Sequence, residues 1–147
     1  MIGVLLVSHG KMAAGMKDSV NMIVGDAPQF ATLSLIPGQD VGELQKNILD
    51  KSKELDSGKG VVILVDIYGA SPYNASMRCV PEWSSQGTHV RVITGMSLPM
   101  AVVAVCNRDS CSLDELAKEI VETGQENIQD AVAALGSSST STESDDY

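Results

Sequence analysis

Apolar residues occur along the chain both in short continuous runs and at helical spacing, and the continuous runs predict strands. Met1–Val7 is almost entirely apolar, and Val61–Val65 is apolar throughout and rich in β-branched residues. Runs of this kind are typical of strands that are buried on both faces of a parallel sheet. Two further strands are predicted at Phe30–Ile36, which is followed by Pro37-Gly38, and at His89–Thr94.

Between and after these strands, apolar residues recur every three or four positions, which is the spacing of amphipathic helices. Two helices are predicted to follow capping boxes that begin at Asp40 and Ser112, and another follows Ser71 as N-cap with proline in its first turn. Gly124 is predicted to break the last helix. The predicted helices run from Met12 to Ile23, from Val41 to Leu55, from Pro72 to about Pro81, from Met100 to Cys106, and from Leu113 to about Gly124.

Strands that alternate with helices at this spacing predict an α/β fold. We expect a flavodoxin-like three-layer sandwich with a mostly parallel central sheet in the order 2-1-3-4. Ligands of such sheets bind beyond the carboxyl ends of the strands, at the point between the first and third strands where the strand order reverses. Residues 1–136 are predicted to form one domain, and Ser137–Tyr147, which lacks any apolar period, is predicted to be a disordered acidic tail.

Composition narrows the class of function. A net charge of −9 and an aromatic content of 3% disfavour nucleic-acid binding, because a phosphate backbone would be repelled and no stacking platform is available. No apolar run approaches the roughly 20 residues that a membrane span needs, and no basic leader precedes one, so we expect a cytoplasmic protein. The 3 cysteines lack metal-binding or disulfide spacing.

Candidate chemistry lies in the loops after the first and third strands. Ser8-His9-Gly10 follows the first strand, and Asp66 follows the third. If these strands are neighbours, a carboxylate lies beside a histidine. A carboxylate that binds one ring nitrogen fixes the tautomer and leaves the other nitrogen free to attack, so we predict His9 as a nucleophile that Asp66 orients.

The segment after Asp66 can accommodate a phosphoryl group. Such a group brings roughly two negative charges and needs hydrogen-bond donors. Gly69, Ala70 and Ser71 precede or open a helix and offer main-chain amides, and the Ser71 and Ser8 hydroxyls are additional candidates. Transfer between two neutral nitrogens needs no metal or other cofactor, and we predict neither.

These loops and several motifs elsewhere occur together in a known family. The motifs are Ser8-His9-Gly10, Ile36-Pro37-Gly38-Gln39-Asp40, Val65-Asp66 with Gly69-Ala70-Ser71-Pro72-Tyr73-Asn74-Ala75-Ser76, Gly95 with Leu98-Pro99-Met100, and Val121-Glu122-Thr123-Gly124. In this order and spacing the chain resembles the mannose-family IIA components (EIIA) of the bacterial phosphoenolpyruvate-dependent sugar phosphotransferase system. The resemblance covers about residues 1–130. Ala70 and Ser97 depart from it, because glycine and asparagine are frequent there.

The resemblance implies a phosphotransferase that acts through a phosphohistidine. His9 would accept a phosphoryl group from the carrier HPr and pass it to a IIB component, which phosphorylates sugar during uptake through membrane components IIC and IID. Asp66 matches the family's orienting aspartate. Similar proteins are homodimers that exchange a C-terminal antiparallel strand, and the segment around Asn127–Ala133 lies where that strand would fall.

Other functions remain open at this stage. The phosphotransfer subunit of dihydroxyacetone kinase has a similar histidine and fold. A tetrapyrrole metal chelatase can also show Ser-His-Gly after a strand, but it needs a second metal-facing residue, and His89 lies at the wrong end of its strand. A flavodoxin-like binding module lacks support because the loop after the first strand has no hydroxyl-rich run. Five apolar residues are predicted at the same edge, and we expect at least half of them to pack in the core and the others to form a rim for docking carriers. They are Met12, Met96, Leu98, Pro99 and Met100.

Overall fold

The structure, a computed structural model, describes residues 1–137, in which strands and helices alternate as the apolar pattern predicts. The sheet has four strands, which are β1 (Gly3–His9), β2 (Phe30–Leu35), β3 (Val61–Val65) and β4 (Val90–Ile93). The helices are α1 (Met12–Val24), α2 (Val41–Leu55), α3 (Ser71–Met77), α4 (Val80–Gln86), α5 (Leu98–Asn107), α6 (Leu113–Glu126) and α7 (Ala131–Ser137).

All strand pairs are parallel, and the strand order is β2-β1-β3-β4, as predicted. The strands β1 and β3 occupy the centre, and their inner residues are fully buried because helices cover both faces of the sheet. Val4 and Leu6 pack on the side of α1, α5 and α6, whereas Leu5 and Val7 pack on the side of α2, α3 and α4. The fold is therefore a three-layer α/β sandwich of the flavodoxin-like order.

The predicted third helix is divided in two. The α3 helix ends at Met77, and a separate helix, α4, begins at Val80 with Pro81 in its first turn. The main-chain amide that proline lacks would be unpaired in the first turn of a helix anyway, so Pro81 is compatible with the start of α4. The predicted end of a helix near Pro81 is therefore wrong. Ala70, not Ser71, occupies the N-cap of α3, and no side chain caps that helix.

Two other helix boundaries test the predicted capping signals. Ser112 and Glu115 form the predicted capping box of α6, whereas Asp40 precedes α2 without making a side-chain cap. Gly124 does not break α6, which continues to Glu126. A Cβ atom at Gly124 would lie 2.7 Å from the Met100 sulfur, so glycine serves there for the close approach of α6 to α5.

The predicted strand around Asn127–Ala133 is not present in this single chain. Asn127 follows α6 as its C-cap, and Ala131 begins α7. A strand needs a neighbour for its main-chain hydrogen bonds, whereas a helix satisfies its own. The predicted disordered tail, Ser137–Tyr147, lies outside the described residues apart from Ser137, which ends α7. Over residues 1–137, none of the helices has the length and apolar character that crossing a bilayer requires.

Candidate active site

Parallel pairing of the two central strands brings His9 and Asp66 together. Val7 on β1 pairs with Val65 on β3, so both chains leave the sheet at the same carboxyl edge. His9 is the last residue of β1, and Asp66 follows β3 directly. The sequence prediction that these two side chains are adjacent is confirmed by the geometry of the fold.

The Asp66 carboxylate holds both the ring and the main chain of His9. Its Oδ2 atom lies 2.7 Å from His9 Nδ1 and accepts the His9 main-chain N–H at 2.8 Å. Its Oδ1 atom accepts the main-chain N–H of Ile67 at 2.9 Å. The Asp66 side chain is 5% exposed and the His9 side chain is 48% exposed. The carboxylate is thus buried beneath a ring that presents its other nitrogen, Nε2, on the side away from Asp66.

The protonation of Asp66 determines the tautomer of His9. Burial by itself would raise the pKa of Asp66, but the hydrogen bonds from the His9 main chain, the His9 ring and the Ile67 main chain outweigh it and hold that pKa below its ordinary value. An ionised carboxylate can only accept hydrogen bonds, so Nδ1 of His9 must donate. In the neutral ring, Nε2 then carries the lone pair and is the available nucleophile.

The Ser8 side chain makes hydrogen bonds with the main chain next to His9. Its side chain is buried, and its hydroxyl accepts the Ala13 main-chain N–H at 2.7 Å and donates to the His9 carbonyl at 3.0 Å. The bond with Ala13 ties the end of β1 to the start of α1, and the bond to the His9 carbonyl lies within β1. The hydroxyl predicted as a phosphate ligand is therefore engaged with the main chain, where it fixes the position of His9.

The loop from Asp66 to Ser71 is a tight turn. Gly69 has a φ of 81°, which favours glycine, and the Ala70 N–H makes a long bond of 3.3 Å to the Ile67 carbonyl. Asn74, on the first turns of α3, donates its side-chain amide to the Gly69 carbonyl at 3.1 Å. Sequence analysis included Asn74 in the family motif but assigned it no role.

A cleft of about 380 Å³ lies beside His9. Ser71 and the loop between β2 and α2 contribute to its lining. The structure thus brings His9 and Ser71 together, while Gly69 and Ala70 lie in the turn just before Ser71. The cleft is lined by His9, Gly10, Leu35, Ile36, Pro37, Gly38, Gln39, Val41 and Ser71.

The apolar residues predicted at this edge are divided between core and surface, as expected. Met96 and Met100 are buried in the core and Leu98 packs against it, whereas Met12 is 44% exposed. Three apolar side chains that sequence analysis missed are exposed in the loops after β2 and β3, namely Ile36 at 58%, Ile67 at 58% and Tyr68 at 74%. Their position in loops that follow the parallel strands on either side of β1 was the available signal, because such loops share one edge of the sheet.

The second histidine is remote from this edge. His89 directly precedes β4, so it lies at the amino edge, where its carbonyl accepts the Val61 N–H at 3.0 Å. Within residues 1–137, no three His, Cys, Asp or Glu side chains are grouped as a metal site would require.

Burial raises the pKa of the Cys79 thiol to about 12, with a smaller contribution from Glu82, so this cysteine remains an unreactive thiol.

Comparison with known proteins identifies the family. Residues 3–121 match the EIIA-man family model, described as PTS system fructose IIA component. The mannose-specific EIIAB component of Escherichia coli K12 is 33% identical over 129 residues, which are 87% of this chain and 39% of that protein. The sorbose-specific EIIA component of Klebsiella pneumoniae is 30% identical over 120 residues, covering 82% of this chain and 84% of that protein.

A solved structure has the same fold. The phosphotransferase system component EIIA from Streptococcus agalactiae superimposes with a TM-score of 0.82 at 23% identity, over 90% of this chain and 99% of that one. The chain spans only 39% of the length of the E. coli relative, whereas it spans most of the sorbose-specific one. The chain therefore belongs to the EIIA-man family, the IIA components of the mannose and fructose branch of the sugar phosphotransferase system.

Proposed function

We propose that His9 is a phosphoryl carrier, which accepts the group from the phosphohistidine of HPr and passes it to a IIB component. The observation that carries this proposal is the 2.7 Å contact between His9 Nδ1 and a buried carboxylate, beneath a half-exposed ring. This arrangement provides a nucleophilic ring nitrogen at the surface, where a second protein can reach it.

The transfer step follows from the tautomer. The Nε2 lone pair of His9 attacks phosphorus, a new P–N bond forms, and the P–N bond to the donor histidine breaks. The donor ring leaves neutral because its other nitrogen keeps a proton. His9 keeps its Nδ1 proton and becomes positively charged, and the Asp66 carboxylate offsets that charge at 2.7 Å. Transfer to the IIB component is the same step in reverse, with His9 as the donor.

Neutral donors around the cleft suit a phosphoryl group. The Ser71 side chain shares the cleft with His9. Gly69 and Ala70 shape the turn that leads to Ser71, and their main-chain amides can approach an anion closely because neither has a bulky side chain. In this proposal Gly69, Ala70 and Ser71 bind the phosphoryl oxygens. Ser8 does not contact the phosphoryl group but holds the main chain of His9 in place.

The exposed apolar side chains around His9 provide a docking surface for the carriers. Met12, Ile36, Ile67 and Tyr68 lie in or next to the loops at the carboxyl edge of the sheet. Direct transfer between two histidines requires the two protein surfaces to touch around the reacting atoms, so these residues become buried at the moment of transfer. An apolar surface can serve two different partners because its contacts are not directional.

The cellular role follows the family. The IIB component would phosphorylate sugar during its uptake through the membrane components IIC and IID, and this chain would act in the cytoplasm as the carrier domain formed by residues 1–136. The E. coli and K. pneumoniae relatives are named for mannose and sorbose. Since His9 passes the group to a protein, the sugar is selected by the partners of this chain.

We further propose a homodimer in which the C-terminal segment of one subunit covers the other. The edge strand β4 has a neighbour on one side only, and an apolar hollow of about 530 Å³ lies next to it, lined by residues that include Tyr73 and Val92. Ile128, Val132 and Leu135 are 83%, 80% and 79% exposed in the single chain. Three such side chains close together are typical of a segment that packs against a partner.

The carrier role is tested by incubating the protein with phosphoenolpyruvate, enzyme I and HPr and measuring its intact mass. The wild type should gain one acid-labile phosphoryl group, His9→Ala should gain none, and His89→Ala, the matched control, should gain one. The proposal fails if the wild type gains no mass or if His9→Ala is still phosphorylated. Sedimentation of the same sample reports the oligomeric state.

A further inference from the structure

We propose that Asn74 is a positioning residue for phosphoryl transfer, because its side chain holds the peptide between Gly69 and Ala70 in the orientation that the phosphoryl group requires. This inference rests on the proposed function of His9. It assigns a role to a residue that neither touches His9 nor lines the cleft.

Asn74 binds two successive carbonyl groups of the loop. Its side-chain amide donates to the Gly69 carbonyl at 3.1 Å, and its main-chain N–H donates to the Ala70 carbonyl at 2.9 Å. The second bond belongs to the start of α3 and would form with any residue at this position except proline. The first depends on the side chain, and asparagine is otherwise a poor choice within a helix.

The orientation of these carbonyls determines where the following amides point. A trans peptide is planar and holds its C=O and N–H in opposite directions, and none of the described peptide bonds is cis. Because the Gly69 carbonyl is turned toward Asn74, the Ala70 N–H points to the opposite side. The Ser71 N–H is likewise directed away from α3, and no acceptor within residues 1–137 bonds to it.

The peptide needs this restraint because it follows a glycine. Gly69 has a φ of 81°, and because glycine has no Cβ its backbone dihedrals are less restricted than those of any other residue. The Ala70 N–H is bonded only at 3.3 Å to the Ile67 carbonyl. Rotation of the peptide would replace this N–H by the Gly69 carbonyl oxygen, which would repel the phosphoryl group.

The test compares wild type with Asn74→Ala, Asn74→Asp and Asn74→Gln. Alanine and aspartate cannot donate to the Gly69 carbonyl, whereas glutamine keeps the amide on a longer side chain. Gln86→Ala is the matched control. It removes an exposed hydrogen bond of 2.9 Å from a side-chain amide to Glu82, and both residues lie on α4, away from α3. Rates of transfer from phospho-HPr are measured together with melting temperatures and the amide and carbonyl NMR shifts of Gly69 and Ala70.

We expect Asn74→Ala and Asn74→Asp to lower kcat about tenfold with an unchanged KM for phospho-HPr, since the docking surface is intact. Their Gly69 and Ala70 resonances should broaden or shift in the free protein, their melting temperatures should stay at the wild-type value, and Asn74→Gln should recover part of the rate. Wild-type rates or wild-type resonances in both variants would overturn this inference alone. A wild type that takes no phosphoryl group would overturn the proposed function and this inference together.

Discussion

Replacing Asp66 with asparagine tests the mechanism most directly, because the change keeps the shape of the side chain and removes its charge. Asp66 accepts three hydrogen bonds, two at Oδ2 from His9 and one at Oδ1 from Ile67. An asparagine has one accepting oxygen and one donating NH2 group. Whichever way its amide is turned, the NH2 group faces a main-chain N–H, so a donor opposes a donor.

The size of the effect follows from the same contacts. Hydrogen bonds to a charged group contribute about 1.5–3 kcal/mol, and roughly 1.4 kcal/mol corresponds to a tenfold change in rate. Loss of the carboxylate that offsets the positive His9 ring therefore lowers kcat by about 10- to 100-fold. If the NH2 group faces Nδ1, the His9 proton moves to Nε2, and Nε2 no longer has a lone pair with which to attack. The equivalent change of tautomer lowers kcat by about 10⁴-fold in a hydrolase triad.

The assay is rapid-quench measurement of transfer from phospho-HPr. We expect Asp66→Asn to be slower by at least about tenfold, and by as much as about 10⁴-fold if the tautomer changes, with little change in KM. Asp114→Asn is the matched control, because Asp114 forms an exposed ion pair with Arg91 that should contribute little to stability. Transfer by Asp66→Asn at the wild-type rate would refute the orienting role of this carboxylate.

The same variant changes the acid stability of the fold. The pKa of folded Asp66 lies below its ordinary value of 3.8, so the ionised carboxylate stabilises the folded state above pH 3.8. This contribution is lost as the pH falls from 3.8 through the lower, folded pKa. Denaturant unfolding at a series of pH values should therefore show a shallower acid dependence for Asp66→Asn than for wild type, and an identical dependence would contradict the pKa shift.

Three further predictions concern stability and thiol reactivity. Gly3→Ala should lower the free energy of unfolding by about 2 kcal/mol or more, measured by urea unfolding, because its Cβ would lie 2.7 Å from both the Cβ atom and the main-chain oxygen of Leu55. Arg108→Leu should cost about 3 kcal/mol in the same assay, because the buried guanidinium donates hydrogen bonds to three main-chain carbonyls, all of which would be lost. A thiol reagent at pH 8 should label exposed Cys106 in the folded protein and Cys79 only after unfolding, since the pKa of Cys79 is raised to about 12.

Most of the fold could be predicted because its signals are local. The continuous apolar run at Val61–Val65 and the capping box at Ser112 depend on neighbouring residues, and both predictions are confirmed. The prediction that Gly124 breaks α6 is wrong, because its cause lies elsewhere in the chain. Gly124 is needed for contact with Met100, and a helix tolerates an internal glycine when packing requires one.

Some features of the candidate site could likewise be predicted from local sequence and others could not. His9 and Asp66 could be predicted because each directly follows an apolar run, and the order of parallel strands places such residues at one edge. The role of the Ser8 hydroxyl could not be predicted from the sequence. Its contact with the Ala13 main chain depends on how α1 packs against the end of β1. The exposed apolar residues Ile36, Ile67 and Tyr68 were likewise missed, because exposure belongs to the folded surface.

The sequence by itself therefore determined the fold class, the family and the two residues of the central pair, because strand periodicity and motif spacing are written in short stretches of chain. Only the tertiary structure decided how that pair works. The separation of 57 positions between His9 and Asp66 is closed by the pairing of β1 with β3, and the balance between burial and hydrogen bonding that keeps Asp66 ionised exists only once those strands are packed.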